Sequence, residues 1–230
     1  NKIKIKFKKE LSTTGLVVRS SSIMEDNFEN SSAGKFESIL NVKNEKLVSS
    51  INKVISSFGE NKSSNDKVLI QPMLKDIFLN GVCFTRTNQQ GAPWYIINYV
   101  RGNDTTDITG GTSKNHKTAY ISKDTKILPK NLSHLNQVLK CVREIEEIVE
   151  FDSLDIEFAI TNKNYLYIFQ VRPLLKNKEA FNYDDDEYFN NLNFAVEKYV
   201  HYSNTNNHFS DNTKKIFGVM PDWNPAEIIG

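Results

Sequence analysis

Two apolar runs, Leu154 to Thr161 and Tyr165 to Val171, stand on either side of Asn162-Lys163-Asn164. Runs of that length flanking turn-forming asparagines read as a β-hairpin. Strand side chains alternate between two faces, so Asp155 and Glu157 share a face of the first strand and Gln170 and Arg172 share a face of the second. A turn at 162–164 sets residues near 157 opposite residues near 169 and 170, and two carboxylates, an amide oxygen and a guanidinium then converge. Such a face makes poor core, because unpaired buried carboxylates are costly. Hard oxygen donors suit Mg²⁺, which is usually held by one or two protein groups together with substrate phosphates, and an adjacent arginine neutralises further phosphate charge. A surface salt bridge between Glu157 and Arg172 satisfies the same residues without any ligand.

The rest of the chain supplies a sheet and helices around this hairpin. Lys2 to Lys9 alternates with Ile3, Ile5 and Phe7, the period of a strand with one wet face. Leu16 to Arg19 and Phe36 to Val42 read as strands. Between Glu45 and Phe58, apolar residues at Leu47, Val48, Ile51, Val54, Ile55 and Phe58 have amphipathic-helix spacing, and Gly59 with the Asn61–Asp66 cluster stops the helix. From Lys67 the texture turns to β, with Val68–Met73, Gly81–Thr87, Trp94–Tyr99 and Lys117–Ile121 as short strands of an antiparallel sheet. Leu132 to Phe151 is the clearest helix, with its stripe at Leu135, Val138, Leu139, Val142, Ile145 and Ile148. Beyond Pro173 comes an acidic, asparagine-rich stretch, a helix over about 185–202, and an apolar segment from Phe217 to Gly230 that packs on something.

Composition excludes several classes. With 230 residues the chain can bury a substantial core, and 39% hydrophobic content is too high for disorder. The net charge of +1 gives no global field to recruit nucleic acid or an anionic membrane, so any anion site is local. No apolar run is long enough to span a bilayer. Cys83 and Cys141 stand far apart in apolar settings, against a disulfide framework or a cysteine zinc site, and a reducing cytoplasm is the expected compartment. The histidines His116, His134, His201 and His208 lack metal-ligand spacing and read as surface residues.

Arg19 ends an apolar strand and opens a serine-rich loop, Ser20-Ser21-Ser22, that continues to Gly34. A guanidinium fork and loop N–H groups would suit an anion, phosphate above all, although a pairing with Glu25 or Asp26 accounts for the arginine equally well. Gly110-Gly111 is a turn, and neither a Walker-type loop nor a nucleophile elbow is present.

Taken together, these segments resemble the nucleotide-binding domain of the phosphoenolpyruvate synthase and pyruvate phosphate dikinase family. Val17-Val18-Arg19-Ser20-Ser21-Ser22 with Glu25-Asp26, then Ser32-Ala33-Gly34 through Leu40-Asn41-Val42, is similar to that family's V-R-S-S-A-x-x-E-D and S-x-A-G-x-x-x-T-x-L-N-V segments. Val68-Leu69-Ile70-Gln71-Pro72-Met73 resembles its V-x-V-Q-x-M hinge, and Gly81-Val82-Cys83-Phe84-Thr85-Arg86 its G-V-x-F-T-R strand. Leu154-Asp155-Ile156-Glu157-Phe158 and Phe169-Gln170-Val171-Arg172-Pro173 resemble its D-I-E-W/F and Q-x-R-P strands, so the likeness spans residues 16–175.

The resemblance implies an α+β fold of the ATP-grasp type, an antiparallel sheet flanked by helices. Its lobes would be a partial N-terminal lobe at 1–66, a C-terminal lobe at 67–175, and a helical linker leading to a following region at 176–230. By the same resemblance, Arg19 and Arg172 would be the catalytic pair, holding the β- and γ-phosphates of ATP. Glu157 and Gln170 would hold Mg²⁺, and the Gln71-to-Met73 hinge would receive the adenine through backbone groups. The family's glycine-rich segment with its phosphate-binding lysine has no match in this chain, nor does its histidine-carrying swivelling domain, so the fragment is expected to turn over feebly or not at all. The usual acidic-x-Val-Val-x-Gly stretch reads here as Thr106-Asp107-Ile108-Thr109-Gly110-Gly111. The implied partners are ATP, a phosphohistidine domain of the same protein and a small-molecule acceptor. Pyruvate is the family's default acceptor, while Met220-Pro221-Asp222-Trp223-Asn224-Pro225 resembles relatives in bacterial capsule modification, such as the glutamine kinase of phosphoramidate synthesis. The rival from another class is a catalytically silent nucleotide-binding or interaction module whose arginines pair internally.

Overall fold

The computed structural model describes residues 2–21, 37–59, 63–88, 91–102, 116–174 and 184–205. Helices α1 (Lys2–Lys6) and α2 (Lys8–Ser12) precede β1 (Leu16–Ser21), β2 (Ser38–Val42), α3 (Leu47–Ser57) and β3 (Lys67–Pro72). The expected opening strand is thus a pair of short helical turns. Its alternation at positions 3, 5 and 7 competes with a helical spacing of Ile3, Phe7 and Leu11, and the latter wins because it points Phe7 and Leu11 at one core while Ile5 remains 76% exposed. Backbone bonds from Phe7 to Ile3 and from Leu11 to Phe7, at 3.0 and 2.9 Å, close those turns.

The strands β2-β1-β3 form an antiparallel sheet. Its even-numbered face on β1, Leu16 and Val18, packs with Leu11, Val42, Leu47 and Val54 into one core, which explains why α3 repeats its apolar residues at positions 47, 51 and 54. The opposite face carries Val17 and Arg19 on β1, set against Gln71 and Leu69 on β3. Because β3 pairs with β1, a lobe boundary drawn at 66/67 falls inside this sheet. The change to β texture reported strands but not their partners.

A second antiparallel sheet has the order β6-β5-β4-β7-β8. Its strands are β4 (Ile77–Phe84), β5 (Trp94–Arg101), β6 (Lys117–Ser122), β7 (Leu154–Thr161) and β8 (Leu166–Pro173), with α4 (Asn136–Val149) between β6 and β7. Leu135, Val138, Leu139 and Val142 from the start of α4 meet Leu154, Ile156, Phe158 and Ile160 of β7 in a single apolar core. Ile148, expected in the same stripe, is 74% exposed. Glu150, at φ 54, then ends α4 in a left-handed cap. Central strand β4 carries Gly81 where β5 and β7 both approach, and a Cβ there would lie 2.3 Å from the Asn98 carbonyl oxygen.

The β7–β8 hairpin turns through Asn162–Asn164, with Asn164 at φ 62, a conformation asparagine tolerates. Its register is not uniform. Phe158 faces Ile168, but Glu157 faces Gln170, so Phe169 has no counterpart and forms a β-bulge. The consequence is a change of face. Leu166 and Ile168 pack on the α4 side, and unbroken alternation would carry Gln170 and Arg172 there too. The bulge instead sets them beside Glu157 and Asp155 on the other face.

A second unit, Asn182–Gly230, contains α5 (Asp185–Asn204), capped by the Asp184 carboxylate, which accepts hydrogen bonds from the N–H groups of Asp186 and Glu187. The expectations for the loop to Gly34, for 106–111 and for 217–230 lie outside the described residues. Among the described residues, no helix is long and apolar enough to cross a membrane.

Candidate functional site

The two sheets of the first unit meet at Arg19. From the non-core face of β1 its Nη2 donates a 2.7 Å hydrogen bond to Oε1 of Gln170 on β8. Gln170 faces Glu157 across the hairpin, and Arg172 faces Asp155 two residues along. Arg19 and Gln170 are therefore in contact, and Glu157 and Arg172 stand near them on the paired strands β7 and β8. The surface pairing of Glu157 with Arg172 is not the ion pair formed. Arg172 binds Asp155 instead, through Nε and Nη2, each 2.7 Å from Oδ2.

Burial governs the electrostatics here. Desolvation pushes the Glu157 carboxyl above its ordinary range, and nearby Arg19 and Arg172 pull it partly back while Asp155 adds to the rise. Asp155, only 6% exposed, is likewise raised by burial against the lowering effect of Arg172. Its second oxygen, Oδ1, is buried with no hydrogen-bond partner. This face thus holds one unneutralised oxygen, a carboxylate and an amide oxygen close together, a hard donor set that fits a divalent cation. Among the described residues no three His, Cys, Asp or Glu side chains cluster as a metal site, and Mg²⁺ usually takes only one or two protein groups, with phosphate and water in its other positions.

The strand ladder engages part of the hinge backbone. The Met73 N–H donates to the Gly15 carbonyl at 3.1 Å, one bond just beyond the last β1–β3 pair, Leu16 with Pro72. Two-residue periodicity turns the backbone of Gln71, opposite Val17, toward β1 as well. On the free edge of the sheet lie the backbone groups of Ile70 and the carbonyl of Pro72, whose missing N–H faces away from the ladder and so costs no strand bond. The Gln71 side chain shares the sheet face of Arg19.

Sequence reasoning gave Thr85 and Arg86 a place in a motif but no task. Thr85, fully buried, accepts a bond from the Leu154 N–H at 2.7 Å and donates one to the Asp152 carbonyl at 2.7 Å. Arg86 pairs with the Asp152 carboxylate and donates to the Gly91 carbonyl at 3.0 Å. Together they hold the entry to β7, one residue before Asp155. Asp152 at 152, an acid just before an apolar strand, was the available signal. A second charged cluster lies elsewhere, around a groove lined by Tyr95, Lys123, Glu146 and Asp152, and its groups satisfy one another: Tyr95 and Lys123 donate to Glu146 at 2.6 and 2.7 Å.

The sequence profile described as "Pyruvate phosphate dikinase, AMP/ATP-binding domain" matches residues 1–137. The chain belongs to that family. It is an AMP/ATP-binding domain of dikinase type, and the match covers β1 with Arg19 and the β3 edge but stops before the β7–β8 hairpin. No curated protein matches it. Among solved structures, that of the macrocyclase MdnC bound with precursor peptide MdnA from Microcystis aeruginosa MRC is similar at a TM-score of 0.38 and 11% identity, over 79% of this chain and 49% of that one. The chain spans about half the length of that structure, and a likeness this distant carries no weight for the dikinase-type domain.

Proposed function

We propose that this dikinase-type domain binds Mg²⁺·ATP in an ATP-grasp arrangement and serves a phosphotransferase that phosphorylates a carrier histidine on another domain, from which an acceptor such as pyruvate or a glutamine amide receives the group. The observation that carries the reading is the Arg19–Gln170 hydrogen bond of 2.7 Å, since it draws an arginine of the first sheet to the oxygen donors of the second. Glu157 and Gln170 would hold the metal, which neutralises developing phosphate charge when bound. Arg19 and Arg172 offer guanidinium forks to phosphate oxygens, and Asp155 orients Arg172. The adenine edge meets the carbonyl of Pro72 on the side of β3 away from β1. Capsule modification and a cytoplasmic location go with the glutamine-directed form of this reading.

A second reading, a catalytically silent module, is favoured by one specific feature: both arginines have protein partners, Arg19 on Gln170 and Arg172 on Asp155. Calorimetry with ATP and Mg²⁺ separates the two. The kinase reading expects binding heat that Glu157→Ala and Arg172→Ala reduce at least tenfold in affinity. Absence of heat with the full-length protein, or heat indifferent to both substitutions, favours the silent module.

A further inference from the structure

Gln170 has one amide oxygen and two claimants. Arg19 Nη2 donates to Oε1 at 2.7 Å, joining residues 151 positions apart on different sheets. On the metal reading given above, the same oxygen is a ligand to the divalent cation. An amide oxygen has lone pairs for two donors, but a guanidinium and a doubly charged ion on one oxygen would stand within a few ångströms of each other, and like charges at that range repel strongly in a partly buried setting.

We infer that Arg19 and the divalent cation are mutually exclusive occupants of the Gln170 oxygen, so that arrival of the metal releases Arg19 from β8. The inference rests on the metal reading of Glu157 and Gln170. Its consequence is a difference between the metal alone and the metal with nucleotide. A cation arriving alone displaces Arg19 without bringing the guanidinium a new acceptor. A cation arriving with a triphosphate brings new acceptors for the displaced fork. Arg19 therefore opposes the bare metal and assists the metal–nucleotide complex, and Gln170 couples the two events across the sheets.

The test uses the full chain and Mn²⁺ as a spectroscopic probe, with free Mn²⁺ read by electron paramagnetic resonance. Arg19→Met, which keeps an unbranched apolar stem, should bind Mn²⁺ without nucleotide about tenfold more tightly than the wild type, the scale of one lost charge-assisted hydrogen bond, and bind Mn²⁺·ATP more weakly. Arg19→Gln, uncharged but polar, should behave alike and guards against misfolding of the first variant, with circular dichroism checking both. In a Gln170→Ala background the tightening should vanish. Tightening that persists there reports general relief of positive charge and overturns exclusivity, as does unchanged or weaker Mn²⁺ binding in Arg19→Met. Glu157→Gln separates the two levels: if it abolishes Mn²⁺·ATP binding while Arg19→Met shows no gain, the metal site stands and only the exclusivity falls. Mn²⁺·ATP binding that ignores Glu157→Gln overturns both.

Discussion

Arg172 grips Asp155 by two nitrogens, Nε and Nη2, both 2.7 Å from the same oxygen, Oδ2, and leaves Oδ1 buried and unpartnered. The pair is held at facing positions of β7 and β8. Removing the cation from such a pair strands a buried carboxylate. Arg172→Met should lower stability by roughly 2–3 kcal/mol, the low end for buried pairs because the arginine side chain is 29% exposed. Adding Asp155→Asn should recover part of the loss, and urea denaturation of the single and double variants measures both.

Thr85 bonds the Leu154 N–H and the Asp152 carbonyl, both at 2.7 Å. Thr85→Val keeps shape and removes both bonds, so a loss of about 2 kcal/mol is expected by chemical denaturation. Thr85→Ser, which keeps the hydroxyl, should lose less.

Gly81 has no room for a side chain, with the Asn98 carbonyl oxygen 2.3 Å from where a Cβ would sit and Phe158 and Tyr99 at 3.0 Å. The nearest atom is backbone of the adjacent strand and cannot swing aside. Gly81→Ala should therefore cost about 3 kcal/mol or prevent folding, seen as a lowered thermal midpoint or as insoluble protein.

His134 packs against Tyr99 with ring centroids 5.3 Å apart. Desolvation lowers its pKa, with Arg101 and Lys117 lowering it further against a raising backbone bond at Asn131. A histidine whose folded pKa lies below its unfolded value disfavours its own protonation in the fold. Stability is thus unaffected above the unfolded value near 6.5, and falls as pH drops through that value toward the folded one. Melting temperature between pH 7.5 and 5.5 should drop less for His134→Gln than for the wild type.

The elements were largely legible in the sequence. The strands from β1 to β8 and the three longer helices have counterparts in the sequence reading, since hydrophobic periods report which side of an element avoids water, but β4 begins at Ile77, four residues before the expected Gly81, and ends at Phe84 rather than Thr87. The first residues misled because Ile3, Ile5 and Phe7 fit a strand while Ile3, Phe7 and Leu11 fit a helix, and only the core beneath β1 chooses between them. Pairing partners were equally hidden: nothing local told β3 to join β1.

The residue chemistry of the candidate site, carboxylates on one strand and an amide with a guanidinium on the next, was determined by the sequence alone, because alternation along each strand is a local property. Which of those groups meet was decided only in three dimensions. One unpaired residue, Phe169, shifts the register of β8 and turns Gln170 and Arg172 from the apolar core to the polar face. The approach of the first sheet then delivers Arg19 to Gln170 and leaves Asp155, not Glu157, as the partner of Arg172. Register and sheet contact depend on residues far apart in the chain competing for the same space, and no local pattern encodes that competition.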